Sequence, residues 1–197
     1  MAESRPSSRR QQILEALARD LEQRPGDRIT TARLAEVVGV SEAALYRHFP
    51  SKAKMFEALI EFAEDSVFGL VTRILAEETQ SHIRCQRIVS VLLTFAVRNP
   101  GITRVLLGDA LVGEHERLRT RAGQFFNRIE TQLKQVLREG EQRDELIQRT
   151  FAGAKANMMT ALVEGRMGQF VRSGFQRAPT EDWETQWSLI STSVFKS

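Results

Sequence analysis

Residues 30–52 read TTARLAEVVGVSEAALYRHFPSK, and the order of small, apolar and polar residues in this stretch decides the fold. Thr30 or Thr31 has the side-chain oxygen that caps a helix start, and the apolar spacing carries that helix to Val38. Gly39 then supplies the positive φ that closes it, because a residue without Cβ meets no clash there. Ser41 caps a second short helix, which Pro50-Ser51 ends. Two short helices about a glycine turn make a helix-turn-helix. Ala35 is small enough to let them approach, and Leu34, Val38, Val40, Leu45 and Phe49 form the buried face. Leu45 and Phe49 stand four apart and so share one side of the second helix. Its other side carries Glu42, Ala43, Tyr46 and Arg47, including the only tyrosine in the chain.

A helix so placed enters the DNA major groove with its N-terminal residues at base edges. That assigns Glu42 and Ala43 to sequence reading, alanine because it allows close approach and its methyl packs on a thymine methyl. Tyr46, Arg47 and His48 fall where phosphates run, and such contacts position a protein without reading sequence. Ser51 and Lys52 open the next helix, whose N-terminal amides and positive dipole end suit another phosphate, and Thr30 and Thr31 do the same for the preceding one. Arg33 and Ser41 complete the expected DNA-binding set. Charge does not decide the matter, since residues 1–53 hold nine basic side chains against seven acidic ones.

Working outward, the rest of the chain also reads at helical period, without the alternating Val/Ile/Thr runs of strands. Ser7 or Ser8 is placed to cap a first helix to about residue 23, with Ile13, Leu14, Leu17 and Leu21 as its buried stripe. RPGD at 24–27 reads as a turn. Beyond the helix-turn-helix, helices are expected over 52–78 and 83–97, then a sharp break at Arg98-Asn99-Pro100-Gly101. Further helices are expected over 102–111, 112–139, 145–171 and about 180–195, with GEQRD at 140–144 as a polar linker. The fold class is therefore all-α, with a DNA-binding domain at 1–53 and a larger helical domain at 54–197. The boundary lies where short helices give way to long ones.

The helix over 145–171 contains Ala152, Gly153, Ala154 and Ala156, then Gly165 and Gly168. Interior glycines cost about 1 kcal/mol each against alanine, so their presence points to close packing on a neighbour. Together with Trp183, Trp187, Leu189 and Ile190 on the last helix, they favour a dimerising four-helix bundle over plain intrachain core. Lys155 and Asn157 either line a small-molecule pocket, face solvent or pair across a dimer.

Composition narrows the function classes. The chain has 197 residues, 42% hydrophobic and 27% charged, as ordinary globular proteins do. One cysteine, Cys85, leaves no intrachain disulfide, so a reducing cytosol is the expectation. Its apolar helix makes it a packed thiol rather than a reactive one, despite Arg84 beside it. The N-terminal MAESRPSSRR lacks the apolar core of a secretory signal, and no run nears the roughly 18 apolar residues of a membrane helix. A net charge of +3 and a pI near 9.4 permit nucleic-acid binding without proving it. There is no phosphate-binding glycine loop, HExxH or Cys/His metal spacing, and His48, His82 and His115 lie far apart. An enzyme is not expected, nor a metal or cofactor, and Met158-Met159 reads as adaptable core.

The run RITTARLAEVVGVSEAALYRHFPSK resembles the DNA-binding domain of TetR-type transcriptional regulators, for which LYRHFPSK is a highly specific string. The resemblance implies an all-helical homodimer in which three N-terminal helices bind a palindromic DNA site and the remaining helices form core and dimer interface. Beyond that domain, RNPGITRVLLGDAL, QLKQVLRE, FVRS and the APTED…W stretch are similar to the nucleoid-occlusion group of the family. That likeness implies a cytoplasmic, nucleoid-associated protein that antagonises assembly of the tubulin-like division protein FtsZ. It also implies a partner surface near the fourth and fifth helices, carried by Phe62, Arg98 and Asn99. The apolar Phe68-Gly69-Leu70 departs from what such a surface should look like. An effector-responsive repressor on the same fold is the other reading.

Overall fold

The computed structural model describes residues 8–24, 27, 29–114, 116–147 and 151–196. Ser7, Pro25, Gly26, Arg28 and His115, which figure in the sequence reading, lie outside the described residues. Among those described there are nine α-helices and no strand, so the chain is all-α. They are α1 (Arg9–Gln23), α2 (Thr31–Val38), α3 (Glu42–His48), α4 (Lys52–Glu77), α5 (Ser81–Arg98), α6 (Pro100–Leu106), α7 (Glu116–Gln142), α8 (Ala152–Arg172) and α9 (Trp183–Val194). A single 3-10 turn, Asp109–Leu111, follows α6. Two compact units divide them: residues up to Ala63 with Asn99–Ala122, and Glu64–Arg98 with the chain from Gly123 onward.

The first unit is built around the stripe of α1. Ile13, Leu17 and Leu21 are buried, as are Leu34, Leu45, Phe49, Met55 and Phe56 of the same unit, α1 packs on α2 and α3, and Arg10 lies 4.4 Å from the centre of the Phe49 ring. Leu14, also expected in that stripe, is only half-buried. Helix α6 closes the other side of α1. Gly101 is required there, because a Cβ at that position would stand 2.0 Å from the Ala18 carbonyl oxygen. Three residues on, buried Arg104 donates from Nη1 to the Leu21 carbonyl at 2.7 Å and from Nε to Asp109 at 2.5 Å. It thereby satisfies a carbonyl that the end of α1 leaves without a helical partner.

The second unit packs Val67 and Val71 of α4, Ile88 and Leu92 of α5, Phe125, Ile129 and Leu133 of α7, Met159 and Val163 of α8, and Trp183 and Trp187 of α9. Arg84 closes the C-terminus of α4, donating to the Leu75 carbonyl at 2.8 Å and the Glu78 carbonyl at 2.6 Å while pairing with Glu139 at 2.7 Å. Cys85 is fully buried, and desolvation pushes its thiol pKa far up against the opposing charge of Arg84.

Several helix bounds differ from the sequence reading, each for a local reason. The third helix ends at His48, and Phe49 is its extended C-cap rather than its last turn. The break at 98–101 shrinks to Asn99, because Pro100 at the first helical position of α6 needs no N–H partner. That helix stops at Leu106, where Gly108 turns left-handed at φ 80°, and Gly113, also at φ 80°, keeps residues 112–114 out of α7. GEQRD is no linker, since α7 runs to Gln142. Gly140 lets it pass the buried Ser81, whose Oγ a Cβ would meet at 2.5 Å. The stretch from Glu145 does not begin a helix: Glu145 accepts from the Ser81 amide at 2.7 Å, Leu146 bridges to Phe195, and α8 starts only at Ala152.

Candidate nucleic-acid interface

The two helices of the expected DNA-reading unit are capped as their sequence requires. Thr30 Oγ1 accepts from the Arg33 amide at 3.4 Å, and Ser41 Oγ from the Ala44 amide at 3.1 Å. Between them Gly39 is left-handed at φ 72°, with its amide and that of Val40 returning to the Glu36 and Ala35 carbonyls. Buried Leu34, Leu45 and Phe49 hold α3 from behind, while Val38 and Val40 are only half-buried. This leaves Ser41, Glu42, Ala43, Tyr46, Arg47 and His48 exposed along one helix of seven residues.

Hydrogen bonds preset part of that surface. Thr31 Oγ1 donates to Glu42 Oε2 at 2.8 Å, and the Tyr46 hydroxyl donates to Thr31 Oγ1 at 3.3 Å. The phenol is held beside the start of α2 yet remains 43% exposed. Two of the expected cations have protein partners. Arg33 pairs with Asp20 of α1 and lies 3.9 Å from Asp27, so its charge braces α2 against α1. Lys52 Nζ sits 2.5 Å from Glu114 Oε1, a partner 62 residues away that no local spacing reveals. Ser51 caps the first turn of α4 by accepting from the Lys54 amide at 3.2 Å.

A second feature of the same unit involves two of the residues assigned to a partner. Phe62, 43% exposed, and Asn99 line a groove of about 110 Å³ together with Gln11, Leu14, Ala18 and Ile102. Sequence reasoning missed Leu14 and Ile102 here. The signal was the α1 stripe itself, one residue wider than the buried core needs. Arg98 is the exposed last residue of α5 and lies in the other compact unit.

In the second unit, Phe68 is half-buried between Phe125, edge-on at 5.6 Å, and Arg128, whose guanidinium lies 3.8 Å from the ring centre. Neither Lys155 nor Asn157 is in the core: Lys155 is half-buried, with its pKa lowered by desolvation, and exposed Asn157 donates to Glu130 at 3.0 Å. Ala154, Met158, Ala161 and Gly165 of α8 are exposed along its length, as is Leu189 of α9 at 71%. Met158, read as core, is therefore a surface residue, whereas Met159 is buried.

A helix-turn-helix presented by an otherwise all-helical chain defines a class of DNA-binding regulator. Residues 13–59 match the family described as bacterial regulatory proteins, tetR family, and residues 79–194 match the SlmA-like family described as tetracyclin repressor-like, C-terminal domain. The nucleoid occlusion factor SlmA of Alteromonas mediterranea is 56% identical over 93% of this chain and 94% of its own. That of Marinobacter nauticus is 54% identical over 99% of this chain and 100% of its own. Among solved structures, the MbdR regulator from Azoarcus sp. CIB superposes with a TM-score of 0.81 at 14% identity, covering 96% of this chain and 100% of that one, a likeness of fold. The chain belongs to the TetR family of regulatory proteins, within its SlmA-like group.

Proposed function

We propose that this protein is a nucleoid occlusion factor: a homodimer that binds palindromic chromosomal sites and from there inhibits FtsZ assembly, blocking division over the nucleoid. The observation that carries this reading is identity of 53–56% across nearly the whole chain with relatives that bear that name. Residues 1–53 are the DNA-binding part and 54–197 supply core, partner and dimer surfaces. It acts in the cytoplasm, without catalysis or cofactor.

On DNA, Glu42 and Ala43 meet base edges, while Tyr46, Arg47, His48, Lys52 and the starts of α2 and α4 take phosphates. Thr30, Thr31 and Ser41 contribute as caps at those starts, and Arg33 supports α2 through Asp20. Two copies related by a twofold axis place their α3 helices one DNA turn apart, about 34–36 Å. The exposed small residues of α8 and Leu189 of α9 meet their symmetry mates, because small side chains let helix backbones approach. FtsZ docks an extended segment at the groove of Phe62 and Asn99, and Arg98, the residue before Asn99 in the chain, is assigned to the partner by the resemblance alone.

Sedimentation of FtsZ polymer, with and without the protein and a duplex selected for binding it, tests the reading. Reduced polymer in the presence of protein and duplex supports it. Unchanged polymer in every combination would leave an effector-responsive repressor as the better account.

A further inference from the structure

Lys52 opens α4 beside the DNA-facing helix, yet its ammonium is already taken. Glu114, its partner at 2.5 Å, comes from the short segment between α6 and α7. Left-handed glycines at 108 and 113 flank the 3-10 turn in that segment, the second immediately before Glu114. The two side chains are 20% and 14% exposed, so water and salt screen their attraction less than at an open surface. Among the described residues, the neighbouring cations pair elsewhere: Lys54 takes Glu57 at 2.6 Å, and Arg117 faces the same Glu57 at 3.7 Å.

We infer that Glu114 competes with the DNA phosphate for Lys52. An ammonium has donors enough to touch both anions, but a carboxylate and a phosphate crowded onto one partly shielded cation repel each other. On binding, Lys52 therefore exchanges Glu114 for a phosphate oxygen, and the glycine-flanked segment is released. Glu114 thus sets the affinity of the free protein below what its cations allow, and residues 108–114 report whether DNA is bound. This rests on the reading of α3 and the start of α4 as the DNA surface.

The test is fluorescence anisotropy on a palindromic duplex recovered by selection from random sequence, using wild type, Glu114→Gln, Lys52→Ala and the double variant, with Tyr46→Ala as a reference for the DNA surface. Losing a partly shielded competitor should tighten binding about fivefold per protomer. Lys52→Ala should abolish that gain. Glu114→Gln binding no tighter than wild type, or equally tighter in the Lys52→Ala background, overturns the inference. If Tyr46→Ala still weakens binding in that event, the DNA surface stands and only the competition falls. If neither Tyr46→Ala nor Lys52→Ala matters, the DNA surface itself is wrong. Amide exchange of residues 108–114 in the wild type needs no substitution: faster exchange with duplex bound supports release, and unchanged protection contradicts it.

Discussion

The hydroxyl of Thr31 donates to the carboxylate of Glu42 at 2.8 Å, joining the first residue of α2 to the first residue of α3. The same oxygen accepts from Tyr46, so one threonine orients both a base-edge candidate and a phosphate candidate. Thr31→Val keeps the shape and removes the hydroxyl. Loss of these exposed hydrogen bonds should cost about 1 kcal/mol of stability in urea unfolding, and DNA binding should weaken about fivefold in anisotropy. Wild-type affinity in a folded Thr31→Val protein would mean the surface needs no such presetting.

Base-edge and phosphate residues should fail in different ways. Glu42→Gln is expected to change the preferred palindrome in a random-sequence selection, since a base contact discriminates by about 1–3 kcal/mol. Tyr46→Ala should instead weaken binding to all duplexes alike. Recovery of the wild-type palindrome by Glu42→Gln would remove that residue from sequence reading.

Gly101→Ala drives a methyl into the Ala18 carbonyl of α1, an atom that cannot move without the helix. The expected loss is about 2 kcal/mol or more, read as a lower urea midpoint. An unchanged midpoint would show that α1 and α6 can part at little cost.

Leu189→Asp places a charge on the exposed side of α9, away from the core residues Trp183 and Trp187. Sedimentation should shift from dimer to monomer with the circular dichroism of a folded helical protein, and binding to the palindrome should fall with it. A dimer of wild-type strength would move the interface off α9.

Much of this was legible from local pattern. The cap at Ser41, the turn at Gly39 and the buried anchors Leu45 and Phe49 follow from neighbours within one or two helical turns, and the choice of cap for α2, open between Thr30 and Thr31 in the sequence, falls on Thr30. What stayed hidden depends on residues far apart in sequence. Nothing near Lys52 announces Glu114, and nothing near Arg33 shows that Asp20 will claim it. The start of α8 was misplaced because Glu145 and Leu146 look helical, whereas Ser81 and Phe195 hold them extended from elsewhere in the fold. The groove was half visible: the resemblance points to Phe62 and Asn99, but their company with Leu14 and Ile102 required the packing of three helices.

The most direct measurement is FtsZ polymer yield by sedimentation in the presence of duplex-bound wild type and of duplex-bound Phe62→Asp. The account predicts that the wild type lowers the yield, while the variant, binding the same duplex as tightly, leaves it intact. Equal yields with both proteins, whether high or low, would contradict it.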